Sequence, residues 1–195
     1  MKYDFHVHTS NYSPCSRSPV ASICRRAVEI GLTGIALTEH DLWWPRSELN
    51  ALRKRFPELT ILRGTEYACP EGHFLVFLPH PEAGPALKAR RVLNLIKEVH
   101  HQRGIVIWAH PYRFDYSFYP GWLDAAELDG IEVASHNMDD PLKILAQGVA
   151  AQNGIMPFEN SDAHHVDNLG KYFNDIPVLF KNTGDFIDYI INKAD

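Results

Sequence analysis

Most hydrophobic runs of strand length in this chain end in, or are followed directly by, a histidine or an acidic residue. The first run covers residues 2–7 and contains His6, and His8 comes next. Side chains alternate across a strand, so these two imidazoles point to the same side. In folds that alternate strands with helices, functional side chains gather where the strand ends meet the loops. The pattern therefore predicts an α/β fold with a polar site at one end of its strands.

Further strand signals alternate with helical periodicity along the chain. Strands are predicted at residues 2–7, 34–38, 60–66, 73–78, 105–109, 130–134, 156–160 and 177–180. Helices are predicted from Ser18 as N-cap with Pro19 at the first position, around residues 49–56 and 92–99, over 140–153, and after Thr183. The link from Glu66 to His73 is too short for a parallel crossover, so a hairpin is predicted to bring His73 near Glu66. About seven units in so short a chain predict a small, irregular barrel, because an eightfold barrel typically needs about 250 residues.

Composition narrows the class of protein. The chain has 195 residues, 45% of them hydrophobic, which favours a single domain over residues 1–195. A formal net charge of -5 argues against binding to nucleic acid through bulk charge. The N-terminal segment is too short for a signal peptide or membrane span, and three cysteines without a CxxC pair argue against a disulfide framework. We therefore expect a cytoplasmic protein without membrane or nucleic-acid partners, and its oligomeric state is left open.

The polar residues at the strand ends have the chemistry of metal ligands. The candidates are His6, His8, His40, Glu66, His73, His110, Asp162 and His164. Imidazole suits zinc and iron, carboxylate suits harder ions such as manganese, and a mixed set admits all three. A hydrogen-bonded polar cluster is the alternative, but it would be costly to bury without a metal. Two or three divalent ions are predicted, with Glu66 as the candidate bridge between two of them.

The order of these residues carries a family resemblance. The phrases are His6-Val-His8, Thr38-Glu-His-Asp41, Gly72-His-Phe-Leu-Val76, Ala109-His-Pro111 and Ser161-Asp-Ala-His164, with Glu66 between the second and third. From Tyr3 to about Gly170 the chain closely resembles the PHP family, named for polymerase and histidinol phosphatase. The resemblance implies a distorted seven-unit β/α barrel and a trinuclear metal centre that hydrolyses phosphoesters. It implies three ligand sets, which are His6, His8, Glu66 and Asp162 for the first metal, Glu66, His73 and His110 for the second, and His40 and His164 for the third.

One position departs from the family pattern. The family usually has Asp or His soon after the HxH phrase, whereas this chain has Cys15 in that region. A thiolate at Cys15 could bind a soft metal, or Cys15 could be a small packed residue. The sequence therefore leaves open whether a third metal binds.

The expected reaction is hydrolysis of a small phosphoester, such as a nucleotide, a sugar phosphate or histidinol phosphate, by a metal-activated water. His40, His164 and Asp162 are the predicted catalytic residues, with one of the two histidines available to protonate the leaving oxygen. Phosphate oxygens favour a guanidinium or another cation, and Arg17, Arg113 and Lys171 are the candidates. A surface ion pair is the alternative for both arginines.

Two other functions stay open. A degenerate PHP module would bind a metal or a partner without turnover. An amidohydrolase would also begin with HxH, but many such enzymes bridge their metals with a carboxylated lysine, and no lysine lies at a strand end between His40 and His110.

Several residues have two interpretations. His136 and Asn137 either contact substrate or form loop hydrogen bonds, Asp41 either orients His40 or shapes a turn, and Trp43 and Trp44 either stack on substrate or pack at the rim. Solvated or capping roles are expected for His80, His100, His101 and His165. The aromatic segment 114–122 is either a lid or a satellite hydrophobic cluster.

Overall fold

The computed structural model describes residues 1–79, 87–113 and 120–194. Its strands are β1 (Lys2–Val7), β2 (Gly34–Leu37), β3 (Thr60–Arg63), β4 (Thr65–Cys69), β5 (Gly72–Phe77), β6 (Ile105–Trp108), β7 (Gly130–Ala134), β8 (Pro157–Glu159) and β9 (Asn174–Asp175). Its α-helices are α1 (Val20–Glu29), α2 (Arg46–Arg55), α3 (Val92–His101), α4 (Asp140–Asn153) and α5 (Thr183–Ala194). His80 and residues 114–119 of the aromatic segment lie outside the described residues, so the expectations for them are not addressed further.

The strands form two sheets, ordered β3-β2-β1-β9 and β4-β5-β6-β7-β8. In the first sheet β1, β2 and β3 run parallel, and β9 pairs antiparallel with β1. In the second sheet β4, β5 and β6 are antiparallel neighbours, whereas β6, β7 and β8 are parallel. Two isolated parallel bridges, Val7 with Ala163 and His40 with Glu66, connect the sheets.

The described strands do not form a closed barrel, so the predicted seven-unit barrel is not confirmed. The reason is local. The β4–β5 hairpin interrupts the strand–helix alternation on which the barrel prediction depends, and β5 pairs antiparallel with β6 although α3 lies between them. The hairpin itself is confirmed, and it pairs Ala68 with His73. The architecture is a mixed α/β fold with two sheets and, among the described residues, five α-helices.

Three apolar clusters hold these layers together. One lies between the two sheets and is covered by α5, where the ring of Phe186 stacks on Phe5 with centroids 4.2 Å apart. Helices α1 and α2 pack on the first sheet, and α3 and α4 pack on the second. None of the helices in the described ranges is long and apolar enough to cross a membrane. The layers fix the strand ends, where the polar residues lie.

Two local predictions were wrong. No strand forms at 177–180, and the last strand of the described chain is instead β9, which pairs with the start of β1. In this segment the Phe180 amide donates to Tyr3 Oη at 3.0 Å, and the Phe180 carbonyl accepts from Thr60 Oγ1 at 3.0 Å, so these groups bond to side chains rather than to a neighbouring strand. Helix α1 begins at Val20 with Pro19 in the N-cap position, because Ser18 Oγ accepts a hydrogen bond from the Val166 amide rather than capping the helix.

The start of α4 provides a test of how an N-cap residue stabilises a helix in this protein. Asp139 is its N-cap, and Oδ1 accepts a hydrogen bond from the Leu142 amide at 3.1 Å. We expect Asp139→Ala to lower the free energy of unfolding by about 1 kcal/mol, because an orphan amide at the helix start loses its acceptor. Urea denaturation measures this, with Asp140→Ala as the control. Asp140 is exposed, and in the described part of the chain its ion pair is with Lys143, so an equal loss in both variants would contradict the capping role.

Candidate metal centre

The predicted ligands lie beside the two bridges that connect the sheets. At the first bridge the His8 amide donates to the Ala163 carbonyl at 3.0 Å, which places the end of β1 against Asp162 and His164. At the second, the Glu66 amide donates to the Glu39 carbonyl at 3.0 Å, which places β4 beside His40. The sheet junctions therefore bring together residues that are far apart in the sequence.

Glu66 lies at the centre of this cluster and is buried. Its Oε1 accepts hydrogen bonds from His110 Nε2 at 2.7 Å and from His73 Nδ1 at 2.8 Å. Its Oε2 lies 2.6 Å from His40 Nδ1 and 3.3 Å from His8 Nε2. A carboxylate whose two oxygens face different histidines has the geometry of a bridging ligand.

His6, His8 and Asp162 form the most deeply buried part of the cluster. The Nε2 atoms of His6 and His8 are 3.0 Å apart, and each lies 3.3 Å from Asp162 Oδ1. Within the described part of the chain, this Asp162 oxygen is buried and accepts no hydrogen bond.

All eight predicted ligands are brought together. Four groups of three have ligand atoms within 4.8 Å of one another, and they are His8, His40 and His164; His6, Glu66 and His110; His6, His8 and Asp162; and His40, Glu66 and His73. His40, His73 and His164 are half-buried, whereas the other five are buried. The cluster is therefore closed at its base and open at one side.

Backbone strain accompanies two of the ligands. His110 has φ of 27° and Asp162 has φ of 49°, both in the positive-φ region that residues other than glycine rarely adopt. Such conformations cost on the order of 1–3 kcal/mol each and occur mainly where the surroundings impose them, often at functional sites. Here each strained residue directs its side chain into the cluster.

Sequence reasoning missed two buried carboxylates that support the histidines. Glu132 on β7 accepts a hydrogen bond from His6 Nδ1 at 2.9 Å. Glu39 accepts one from the Ser13 hydroxyl, and Ser13 Oγ lies 3.3 Å from His8 Nδ1. Both carboxylates are fully buried. The available signal was an acidic residue within an apolar strand, in the first case Gly130-Ile-Glu-Val-Ala134.

The buried charges shift one another's pKa values. Burial alone would raise the pKa of Asp162 and Glu66, but the neighbouring histidine rings, His6 foremost, hold both well below their usual range. Burial alone would lower the pKa of His6 and His8, but the facing carboxylates raise both. The half-buried His164 has a lowered pKa because of burial and the neighbouring His8. Without metal, the base of the cluster therefore retains protons on His6 and His8.

These residues fit divalent metal ions. Ligand–metal distances of about 2.0–2.2 Å for nitrogen and oxygen allow two nitrogens 3.0 Å apart to share one ion. The same ion would satisfy Asp162 Oδ1, which accepts no hydrogen bond among the described residues. Nitrogen and oxygen donors from imidazole and carboxylate suit zinc, manganese and iron alike.

A cavity of about 380 Å³ opens beside the cluster, with His73 and His110 in its wall. Arg113 also lines it, and Arg113 Nη1 lies 3.6 Å from Asp162 Oδ2. Trp122 and the buried Trp108 give it an aromatic side. The cavity therefore combines a guanidinium, an apolar wall and the open side of the metal ligands.

The other two predicted phosphate-binding residues lie elsewhere. Arg17 is exposed, and among the described contacts only its backbone amide reaches the cluster region, donating to the His164 carbonyl at 2.8 Å. Lys171 donates to Asn168 Oδ1 at 2.7 Å, away from the described ligands. A substrate role for both stays a prediction.

Two further residues lie next to the ligands. Cys15 Sγ is 3.3 Å from His40 Nε2, so the thiol reaches the edge of the group that contains His8, His40 and His164. Asn137 Nδ2 donates to Asp162 Oδ2, which places Asn137 at the site, whereas its neighbour His136 is exposed.

Other open interpretations are also decided by contacts. Asp41 has φ of 51° and accepts a hydrogen bond from the Ala68 amide, as a turn residue does. Trp44 is buried and donates to Glu39, so it packs below the site. His100 pairs with Asp129 at 2.9 Å, His101 is exposed, and His165 pairs with Asp167 at 3.2 Å.

Comparison with known proteins identifies the fold. No family model matches the chain, and no curated protein matches its sequence. A protein from Bifidobacterium adolescentis with the provisional name of metal-dependent phosphoesterase superposes with a TM-score of 0.73 at 17% identity, over 98% of this chain and 96% of that chain. The chain shares its fold with this protein.

Two other solved structures have the same fold. A two-domain protein from Bacteroides vulgatus, which contains a predicted PHP-like metal-dependent phosphoesterase, matches with a TM-score of 0.62 at 21% identity, over 86% of this chain and 53% of that chain. An amidohydrolase from Chromobacterium violaceum, solved with sulfate and without metal, matches with a TM-score of 0.68 at 15% identity, over 97% of each chain. The two phosphoesterase structures agree with the PHP resemblance found in the sequence.

Proposed function

We propose that this protein is a PHP-type, metal-dependent phosphoesterase that acts on a small phosphorylated molecule. One observation carries the proposal. Seven histidine and carboxylate side chains converge around Glu66, and this cluster opens into a cavity that also contains a guanidinium. The bridges between the two sheets support a distorted barrel as the underlying frame.

The contacts support three ligand sets. His6, His8 and Asp162 would hold one ion, with Glu66 bridging to a second at His110 and His73. His40 and His164, with His8 and the nearby Cys15, would hold a third. Zinc, manganese and iron are the candidate ions. When bound, such ions lower the pKa of a coordinated water and neutralise charge on phosphoryl oxygens.

The chain's own side chains supply the remaining functions. Arg113 binds a phosphoryl oxygen from the cavity side, since its guanidinium lies beside Asp162. Where no third ion binds, the lowered pKa of His164 favours its neutral form, so His164 is suited to accept a proton. His40, half-buried on the open side, would then face the leaving oxygen. The cavity volume favours a small substrate over a polymer.

The test is hydrolysis by the full chain after metal removal and reloading with manganese, zinc or iron. We expect release of p-nitrophenol from its phosphate mono- or diester only with metal present, and loss of release in Asp162→Ala. Metal binding without turnover of any phosphoester in a broad panel would favour the degenerate module. Metal-dependent hydrolysis that survives Asp162→Ala would contradict the assigned site.

Arg113→Ala is expected to lower kcat/KM by roughly 10–100-fold, mainly through KM, because a charge-assisted hydrogen bond contributes about 1.5–3 kcal/mol. Arg113→Lys should restore part of the loss, since it keeps the charge without the planar fork. Steady-state kinetics with the best ester measure both variants. Arg26→Ala is the comparison, because Arg26 lies on α1 and pairs with Glu29, and an equal effect there would contradict the assignment to Arg113.

An amidohydrolase is the second candidate, favoured by the match to the Chromobacterium violaceum protein. Against this candidate, the side chain that contacts His110, His73 and His40 together is the carboxylate of Glu66 rather than a lysine. Turnover of an amide or lactone, with inert phosphoesters, would favour this alternative.

A further inference from the structure

Glu132 contacts two of the candidate metal ligands from behind. It lies in the middle of β7, and its side chain is fully buried. Oε1 accepts hydrogen bonds from His6 Nδ1 at 2.9 Å and from Asn160 Nδ2 at 2.8 Å. Oε2 accepts one from the His110 backbone amide at 2.7 Å. One carboxylate therefore serves three N–H donors.

The contact with His6 determines which ring nitrogen is available to a metal. Nδ1 faces Glu132, so a metal-bound His6 would keep its Nδ1 proton for this hydrogen bond and offer the lone pair of Nε2 to the ion. That Nε2 faces His8 Nε2 at 3.0 Å and Asp162 Oδ1 at 3.3 Å. The orientation of His6 thus depends on an acceptor at the position of Glu132.

The contact with His110 acts on its backbone. His110 has φ of 27°, a conformation that its surroundings must hold in place. The hydrogen bond from its amide to Glu132 is short and fully buried. This backbone geometry presents His110 Nε2 to Glu66 Oε1 at 2.7 Å.

We propose that Glu132 is a positioning residue that sets the affinity of the centre for metal by fixing His6 and His110 together. The proposal rests on the metal centre of the proposed function but not on its substrate. A carboxylate that accepts from a ligand histidine raises the basicity of that histidine and fixes its tautomer, and loss of such a partner typically costs about 10–100-fold in metal affinity.

The informative variant is Glu132→Gln, which keeps the side-chain volume. A carboxylate offers two acceptor oxygens, whereas the amide offers one oxygen and one NH₂ group. With three donors facing the group, at least one N–H must then face the NH₂. We expect the dissociation constant for Zn²⁺, measured by competition with a chromophoric chelator, to rise about 10–100-fold.

Asp129→Asn is the matched control. Asp129 Oδ2 also accepts from a histidine ring, His100 Nε2 at 2.9 Å, and from a backbone amide, that of Val106 at 2.7 Å. These contacts lie outside the ligand groups found in the described chain. We expect this variant to bind Zn²⁺ like the wild type, even if both substitutions lower thermal stability.

A second measurement needs no variant. In the Zn²⁺-loaded wild type, ¹⁵N NMR of histidine should show a protonated Nδ1 and a metal-bound Nε2 for His6. The reverse assignment, or unchanged Zn²⁺ affinity in a folded Glu132→Gln, would overturn the proposal. Weakened Zn²⁺ binding in Glu132→Gln alone supports it even if no phosphoester is turned over, so its outcome is distinguishable from that of the proposed function.

Discussion

Replacing Glu66 with glutamine is expected to remove metal-dependent hydrolysis almost entirely and to reduce the number of ions retained per chain. Glu66 contacts His110, His73 and His40 within 2.8 Å, so no other side chain in the described cluster reaches as many candidate ligands. Loss of a partner behind a ligand costs about 10–100-fold, so loss of a bridging ligand should cost at least about 1,000-fold in kcat/KM. Kinetics and elemental analysis after removal of excess metal measure the two effects.

Glu98→Gln is the control for this experiment. Glu98 is a carboxylate on α3 that accepts hydrogen bonds from the Lys88 and Ala89 amides, outside the described metal groups. It should retain wild-type activity and metal content. A Glu66→Gln protein with the full complement of ions and normal turnover would show that Glu66 does not bridge the centre.

The histidines at the strand ends show which features of the site the sequence alone could predict. His6 and His8 were placed on one side because residues alternate along β1, and their Nε2 atoms do meet at 3.0 Å. The hairpin between Glu66 and His73 was predicted from the length of the link alone. In both cases the inference depends on local geometry, which neighbouring residues determine.

The small, irregular barrel was predicted by counting strand–helix units, and this count could not reveal how the sheets meet. The junctions are single bridges, Val7 with Ala163 and His40 with Glu66, between residues distant in sequence. Their formation depends on tertiary packing rather than on local propensity. One example is the packing of α5 over the apolar cluster between the sheets. The position of β9 was missed for the same reason, since a two-residue strand has almost no signal of its own.

Glu132 and Glu39 were missed because their roles depend on what lies behind the ligands. In sequence each is one acidic residue beside apolar ones. This signal does not say which side chains or amides donate a hydrogen bond to the buried carboxylate. For Arg17 and Lys171 the substrate role stays a prediction. Closeness in sequence to a ligand made them candidates, whereas the described side-chain contact of Lys171 is with Asn168.

Loading the protein with metal is expected to raise its melting temperature strongly, and increasingly so at higher pH. An ion at 1,000 times its dissociation constant stabilises the folded state by about 4.1 kcal/mol, which corresponds to a rise of roughly 8–16 °C for a chain of this size. Differential scanning calorimetry with and without a chelator measures this rise. Asp162→Ala, which lacks a central ligand, should show little of it.

The pH dependence follows from the charges at the base of the cluster. In the metal-free protein the pKa values of His6 and His8 are raised above their usual 6.5 by the facing carboxylates, against the opposing effect of burial. The stability that these protons contribute is fully present below pH 6.5 and is lost as the pH rises through the raised values. The pKa values of Asp162 and Glu66 are held low, so their contribution is present at neutral pH and is lost only in acid.

A metal ion replaces the protons on His6 and His8, so its binding strengthens as the pH rises. The difference in melting temperature between loaded and metal-free protein should therefore widen between about pH 6 and pH 9. His100 also has a raised pKa beside Asp129, but it titrates alike in both forms and cancels from the difference. A difference that stays constant or narrows over this range would mean that metal does not compete with protons at His6 and His8, and the centre would then lie elsewhere.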